Sequence, residues 1–422
     1  MKGHNEMEQQ DKLREICAAA RAAARAAAVS EQRSTALEKA ADRIMAECDT
    51  IFEANIADIE AARDAGLPEG ILDRMRVDRS NISVLCGALR EVARLPDPLG
   101  TGTVRISRRG YEIKRVKVPL GVVAFVYDCR PELTVRASAL AIKSGNAAIL
   151  CTKRYPATDI ALINALRRAT EEAGLDPALI TRLDPGEDGM LKALAGTRGL
   201  VDLVVAYGSR EDVRRISEGA VVPVIEACPG NGHIYIDWPC DISQAVKAAL
   251  SSKGGLAREC DTPATTLLVH SEAAAEFLPA LSRAAQPYHL EYRGCPRTRE
   301  YLPAAIPAVR EDWAAECCGR ILAIKVVDSF DEAVEHINTF GTGHSEAIIT
   351  LSEPNAHRFG REIDAAAVYV NAISRYAEGG EVEPGAQAGF SAQKFGFRGP
   401  VCLGTLTTDK YLIEGDGRQA AK

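Results

Sequence analysis

The residues best suited to covalent chemistry lie at 253–270, Lys-Gly-Gly-Leu-Ala-Arg-Glu-Cys-Asp-Thr-Pro-Ala-Thr-Thr-Leu-Leu-Val-His. The first half carries glycines and charges and reads as exposed loop. The second half, 265–269, is β-branched and aliphatic and reads as a buried strand. Cys260 stands at the junction, and Pro263 bars a helix between the thiol and the strand. A thiol on a loop carried by a rigid strand is accessible yet positioned, as a nucleophile must be. Attack requires the thiolate, so a helix N-terminus or a cation such as Lys253 or Arg258 is expected beside it. Gly208-Ser209 is a second chemical signal. It follows the apolar run 203–205 and opens a helical pattern, so its backbone amides suit a pyrophosphate. Gly-Ser after a strand is also an ordinary turn, and a lone loop cysteine is weak evidence by itself.

Those residues must be held by something. Residues 11–65 read as helical, with an alanine-rich run at 18–28. Leu37, Ile44, Met45, Cys48, Ile51, Phe52, Ile56 and Ile59 then trace one apolar stripe at helical spacing, stopped by Gly66 and Pro68. Residues 104–118 read as two strands around Arg109-Gly110. This segment carries Arg105, Arg108, Arg109, Lys114, Arg115 and Lys117, and reads as a solvated edge hairpin rather than a phosphate patch. From residue 120 onward short apolar runs alternate with helical patterns. The runs are 122–126, 147–150, 200–205, 221–225, 234–236, 265–269, 321–327, 347–350 and 367–370. Uninterrupted apolar strands alternating with helices mean parallel sheets covered on both faces. Nine runs exceed one comfortable sheet, so the expected fold class is α/β with two doubly wound parallel-sheet domains, broken near 229–232. Residues 400–413 read as a strand.

The 422 residues are 46% hydrophobic and 26% charged, as in ordinary globular proteins. A net charge of −7 argues against nucleic acid as a partner. No apolar run reaches the length of a membrane span, and the first eight residues lack the apolar core of a signal peptide. The expectation is a cytoplasmic protein. The twelve cysteines are scattered without a Cys-x-x-Cys pair. In a reducing compartment most should act as small hydrophobes. No two histidines stand at i, i+4, so no metal is expected.

Several segments in one order resemble a known family. They are Val118-Pro-Leu-Gly-Val-Val123, Tyr127-Asp-Cys-Arg130-Pro131 and Leu140-Ala-Ile-Lys143-Ser-Gly-Asn146. Val224-Ile-Glu226, Gly230-Asn231-Gly-His233-Ile-Tyr235, Gly341-Thr-Gly-His344-Ser-Glu346-Ala347 and Ala367-Val-Tyr-Val-Asn-Ala372 follow. Ser391-Ala-Gln-Lys394, Arg398-Gly-Pro400 and Leu406-Thr-Thr408 complete the set. Together, from about 35 to 412, they resemble the gamma-glutamyl phosphate reductases (glutamate-5-semialdehyde dehydrogenases), the proline-pathway branch of the aldehyde dehydrogenase superfamily.

The resemblance implies a cofactor-binding domain at 1–102 and 119–230 and a catalytic domain at 231–395. Residues 103–118 and 396–422 would form an oligomerisation hairpin and tail that pairs subunits as a homodimer or homotetramer. It places the nucleophile at Cys260 and a general-base position at Glu226. For the cofactor, NADP(H) with NAD(H) as the alternative, it points to Glu316 on the nicotinamide ribose and Lys153 on the adenosine ribose. Gly208 and Ser209 would meet the pyrophosphate. Tyr127, Arg130, Glu132, Asn231 and Arg375 are the expected substrate contacts. His233 and His344 are expected to be structural. The small-molecule partner would be an acyl phosphate, supplied by a kinase and reduced to the semialdehyde through a thioacyl intermediate on Cys260.

The sequence departs from that family where the active site should be. Arg-Pro-Asn is Arg130-Pro131-Glu132 here, and the glycine-rich run after Leu150 is Cys151-Thr-Lys153-Arg-Tyr155. Pro-Arg-Gly-Gly is Ala206-Tyr-Gly208-Ser209, and Gln-Arg-Pro-Ser is Gly255-Leu-Ala-Arg258. Gly-Leu-Gly-Ala-Glu is Glu383-Pro-Gly-Ala-Gln387. A carboxylate at Glu132 would repel an anionic substrate. Three alternatives therefore stand beside the acyl phosphate: a carrier-bound thioester, an aldehyde oxidised with the help of Glu226, and a scaffold of the same fold without catalysis.

Overall fold

The computed structural model describes residues 2–108, 110–152, 154–184, 189–253, 264–315, 320–372 and 385–415, with side chains from residue 10 onward. The chain divides into two compact units. The first is Met1–Ala227 with Glu383–Gly389 and Pro400–Lys422, and the second is Cys228–Val382 with Phe390–Gly399.

Five helices open the first unit: α1 (Lys2–Ala27), α2 (Arg33–Ala46), α3 (Cys48–Asp64), α4 (Glu69–Met75) and α5 (Arg79–Arg94). Alanines 20, 23, 24 and 27 are buried along α1, which packs on the sheet at close range. The single stripe expected across 37–59 is not found. The helix breaks at Glu47 and its phase resets, so Leu37, Ile44 and Ile51 are buried while Met45 and Ile56 face solvent. The α5 start is fixed by a capping box, with Asp78 accepting from Asn81 N and Asn81 Oδ1 accepting from Asp78 N, both at 2.9 Å.

Strands β1 (Gly102–Ile106) and β2 (Glu112–Pro119) follow as the expected hairpin. The sheet proper is made by β3 (Val122–Tyr127), β4 (Ala147–Thr152), β5 (Ile180–Leu183), β6 (Leu203–Tyr207) and β7 (Val224–Ala227). Its helices are α6 (Pro131–Lys143), α7 (Ala157–Glu172), α8 (Gly189–Gly196) and α9 (Arg210–Ser217). The strand order is β5-β4-β3-β6-β7, and all neighbours are parallel. Every residue of β3 and β4 is buried, which is why both read as unbroken apolar runs. The chain winds outward from β3 and then returns to β6 on the other side of β3. The switch point, where such sheets open a crevice at their carboxyl ends, therefore lies between β3 and β6.

The second unit contains β8 (Gly232–Ile236), α10 (Ile242–Ser252), β9 (Ala264–His270), α11 (Ser271–Ala285), β10 (Glu291–Gly294) and α12 (Pro296–Tyr301). It continues with β11 (Ile306–Pro307), α13 (Arg310–Ala314), β12 (Ile321–Val327), α14 (Phe330–Phe340), β13 (Ser345–Ile349), α15 (Glu353–Glu362) and β14 (Ala367–Val370). The sheet is parallel, in the order β11-β10-β12-β9-β8-β13-β14. Side chains of β8 alternate between two cores. Ile234 and Ile236 join Leu267, Val269 and Phe277, whereas Tyr235 joins Leu268, Phe330 and Phe359.

After the short strands β15 (Phe390–Ser391) and β16 (Gly399–Pro400), the chain ends its described course in β17 (Thr407–Glu414). The expected tail strand thus begins later than 400, because Gly404–Leu406 forms a helical turn. Strand β17 lies antiparallel along the whole of β2. Three of the hairpin's six basic residues form ion pairs on that sheet. Lys114 meets Glu112 and Glu414, while Arg115 and Lys117 share Asp409. Pairs this exposed add little stability.

Among the described residues, no helix is long and apolar enough to cross a membrane. Among the same residues, no group of three or more His, Cys, Asp or Glu is arranged to hold a metal. Cys17, Cys86, Cys129, Cys151 and Cys402 are buried free thiols.

Candidate functional site

At the carboxyl end of β3 the backbone turns sharply. Cys129 takes a left-handed φ of 55°, a strained conformation that directs Arg130 and Pro131 into α6. Burial pushes the Cys129 thiol up to about 12, so it is no nucleophile. The Arg130 guanidinium lies 4.5 Å from the centre of the Tyr207 ring, which places it at the β3–β6 switch point. It also stands 3.4 Å from a Glu132 oxygen. Glu132 is therefore not an isolated charge. Its partner is two residues away, and its place in the first turn of α6 suits the helix dipole. Asp128 accepts from Arg154 N at 3.0 Å and from Arg154 Nε at 2.5 Å, tying the loop after β4 to the loop after β3. Lys153, in that loop, lies outside the described residues.

Tyr127 corrects an expectation. Its side chain is buried, and its hydroxyl shares a 2.6 Å hydrogen bond with Thr134 Oγ1 instead of facing a ligand. Thr134 in turn donates to Asp159. Burial, with Asp58 and Glu132 nearby, lifts the Asp159 carboxyl to about 7 against the opposing pull of the Thr134 bond. The segment 140–146 is also internal. Lys143 Nζ donates to Ala93 O and Ser34 Oγ, and Asn146 joins Gly121 N to Leu406 O.

Strand β6 ends at Tyr207, and Ser209 is the N-cap of α9. Its Oγ accepts from Asp212 N at 3.2 Å and donates to Asp212 Oδ2 at 2.6 Å. A Cβ at Gly208 would meet Asp212 Cβ at 3.7 Å, an ordinary van der Waals contact. Glu226, on β7, accepts from Ser217 Oγ at 2.7 Å.

In the second unit, Lys253 caps α10 and is buried, and β9 runs Ala264–His270, one residue longer at each end than the expected 265–269. Cys260 falls between them and, like Arg258, Glu316 and Arg375, lies outside the described residues. Asn231 corrects a second expectation. It is fully buried, and its amide is taken up by the chain itself, donating to Phe340 O at 2.7 Å and accepting from Thr342 N at 2.7 Å. Such a side chain braces loops rather than binds substrate. His233 bonds Glu346 through its ring at 3.0 Å and its backbone N–H at 2.8 Å, both groups being buried. His344 Nδ1 meets Ser345 Oγ at 2.8 Å. His336, missed in the sequence, packs against Trp313, Phe340 and His233, and burial drives its ring down to about 3, hence neutral. The available signal was a carboxylate, Glu346, inside the apolar strand β13.

The model of the aldehyde dehydrogenase family matches residues 3–293 and 304–391. A gamma-glutamyl phosphate reductase from Halothermothrix orenii is 39% identical over 395 residues, covering 92% of this chain and 93% of that protein. The crystal structure of the gamma-glutamyl phosphate reductase from Thermotoga maritima superposes with a TM-score of 0.87 at 34% identity, over 96% of this chain and 99% of that one. An engineered glycolyl-CoA reductase with bound NADP+ shares the fold alone, at 13% identity and a TM-score of 0.71 over 95% of this chain and 96% of that one. This chain is an oxidoreductase that belongs to the aldehyde dehydrogenase family and, within it, to the gamma-glutamyl phosphate reductases.

Proposed function

We propose that the protein reduces an acyl phosphate, gamma-glutamyl phosphate in the first place, to the semialdehyde with NADPH, as a step of proline synthesis. The observation that carries this reading is identity of 37–39% over 92% of the chain to relatives bearing that enzyme's name. The residues present fit a nicotinamide dinucleotide. A parallel sheet with its switch point beside Arg130, and a glycine at 208 before the helix capped by Ser209, suits the pyrophosphate end. Ser209 would add its capped helix start, with Lys153 and Glu316 on the two riboses.

Cys260, as thiolate, attacks the acyl carbonyl. The carbonyl carbon gains a bond to sulfur and loses its bond to the phosphate oxygen, so inorganic phosphate leaves and a thioester remains. The bound cofactor supplies hydride. The hemithioacetal on Cys260 then collapses, breaking its C–S bond, freeing the semialdehyde and restoring the thiolate. Arg130, Glu132 and Arg375 are the groups assigned to the substrate side, and Tyr127 supports them from within the sheet. Glu226 is the base position of aldehyde-oxidising relatives, and reduction asks no water activation of it. The exposed sheet of β1, β2 and β17 is assigned to pairing subunits, and a kinase to supplying the acyl phosphate.

The Glu132–Arg130 pair favours a second reading within the same chemistry, an acyl chain other than gamma-glutamyl. One assay addresses both. With glutamate-5-semialdehyde, NADP+ and phosphate, the reverse reaction should depend strictly on phosphate, and Cys260→Ala should lower turnover by at least ~1,000-fold. Turnover without phosphate would move the reading to aldehyde oxidation. Preference for another semialdehyde would change the acyl chain. Full activity of Cys260→Ala would remove the thioacyl step.

A further inference from the structure

We infer that one face of the second sheet, where β9, β8 and β13 begin, binds an internal water molecule among Thr266, His233, Glu346 and His336. The strand register sets three of these side by side, since His233 pairs with Thr266 on one flank and with Glu346 on the other. They stand two residues before Leu268, Tyr235 and Ile348, so all three share the face that α14 covers. His336 of α14 closes over them, its ring 5.6 Å from that of His233 and nearly perpendicular to it. None of the four is more than 4% exposed. Each leaves one buried polar atom without a partner: Thr266 Oγ1, His233 Nε2, His336 Nε2 and Glu346 Oε1. Buried polar groups are ordinarily paired, and where the chain supplies no partner a bound water does.

The hydrogen-bond roles select the ligand. Glu346 Oε2 accepts from His233 N and meets His233 Nδ1, so the carboxylate draws the His233 proton to Nδ1 and leaves Nε2 an acceptor. Glu346 Oε1 is a second acceptor. The Thr266 hydroxyl and His336 in its Nε2–H tautomer are donors. Two acceptors and two donors are the valences of one water. When His233 takes a second proton, its Nε2 becomes a donor and the other tautomer of His336 offers an acceptor, so the count is unchanged. His336 is free to do this because burial keeps its ring neutral, driving it down to about 3. A metal cation would meet donors where it needs lone pairs, and an anion would meet a carboxylate oxygen. Gly341, which ends α14, keeps side-chain carbon away from the orphan oxygen, since a Cβ there would lie 2.9 Å from Glu346 Oε1. The water ties β9, β8 and β13 to α14 where direct bonds do not.

The test uses the full chain, crystallised at a resolution that orders internal waters. Density for a water should lie about 2.7–3.2 Å from at least three of the four atoms. Thr266→Val adds a second readout through the sign of its effect, because it exchanges the hydroxyl for a methyl of the same shape. With water on the hydroxyl, the variant loses a hydrogen bond and leaves the water a partner short, so its melting temperature should fall below the parent's, by about 2 °C. In a dry site the same exchange removes an unpaired polar group, and the melting temperature would hold or rise. Three results overturn the inference. They are a Thr266→Val melting temperature at or above the parent's, density that shows other internal waters but none bridging these atoms, and a peak about 2.0–2.1 Å from a histidine nitrogen, which would be a metal.

Discussion

Asp159 is held uncharged by its surroundings at a pH where carboxyls are ordinarily ionised. Only 3% exposed, it faces Asp58, Glu132, Arg182 and the Thr134 hydroxyl, and its carboxyl titrates near 7 rather than 3.8. The sign follows directly. Between those two values the folded chain holds a proton that the unfolded chain has lost, so stability falls as pH rises through the window. The full displacement corresponds to at most about 4 kcal/mol. Asp159→Asn keeps the acceptor for Thr134 and removes the titration. It should raise the melting temperature at pH 8, change it little at pH 4, and flatten the slope between. Melting curves at the two pH values check this, and an equal effect at both would remove the buried-proton account. Residue roles were only partly legible in the sequence. The loop character around Arg130 and the cap at Ser209 follow from neighbours in the chain. From the sequence Asn231 and Tyr127 read as ligand contacts, because their burial depends on partners elsewhere. Asn231 pairs with residues 313, 340 and 342, separations that no local pattern reveals.

Helix α7 shows how one element is anchored by another. Its first N–H groups are met not by a local cap but by Asp58 of α3, which accepts from Ala157 N at 3.1 Å and from Thr158 N and Oγ1 at 2.7 Å. Asn55, one turn earlier on α3, donates to Thr158 Oγ1 and Met75 O and accepts from Val77 N. The cap is charged, buried and shared by distant segments, so Asp58→Ala should cost about 2–3 kcal/mol. Asp58→Asn should cost less. Urea midpoints of the two variants test the order, and equal midpoints would mean that the carboxylate charge contributes nothing. Central strands such as β3, β4, β8 and β9 were visible as apolar runs because solvent reaches neither face. Strands β5, β10 and β11 were not. Ile-Thr-Arg-Leu and Glu-Tyr-Arg-Gly lie at or next to sheet edges, where polar side chains are allowed and the hydrophobic signal disappears.

For the molecule as a whole, the sheet of β1, β2 and β17 carries apolar side chains that solvent reaches. Val104 and Ile106 are more than half exposed on one face of it, and Tyr411 and Ile413 are more than half exposed on the other. Exposed apolar side chains on the two faces of such a sheet suit the subunit pairing proposed for it. The double variant Ile106→Lys, Ile413→Lys should sediment as a smaller species at micromolar concentration while its helical circular dichroism is retained. An unchanged sedimentation coefficient would place the subunit contact elsewhere. Assembly was the least legible level, because an exposed strand has the same residue pattern whether water or a second chain covers it.

The first unit is also discontinuous along the chain, since β17 and the Leu406 carbonyl that Asn146 holds come after the whole of the second unit. A ribosome adding roughly 5–20 residues per second needs on the order of ten to thirty seconds to translate residues 228–399. Throughout that interval the nascent hairpin stands with one long edge open, a natural landing place for a chaperone or for the strand of a neighbouring polysome product.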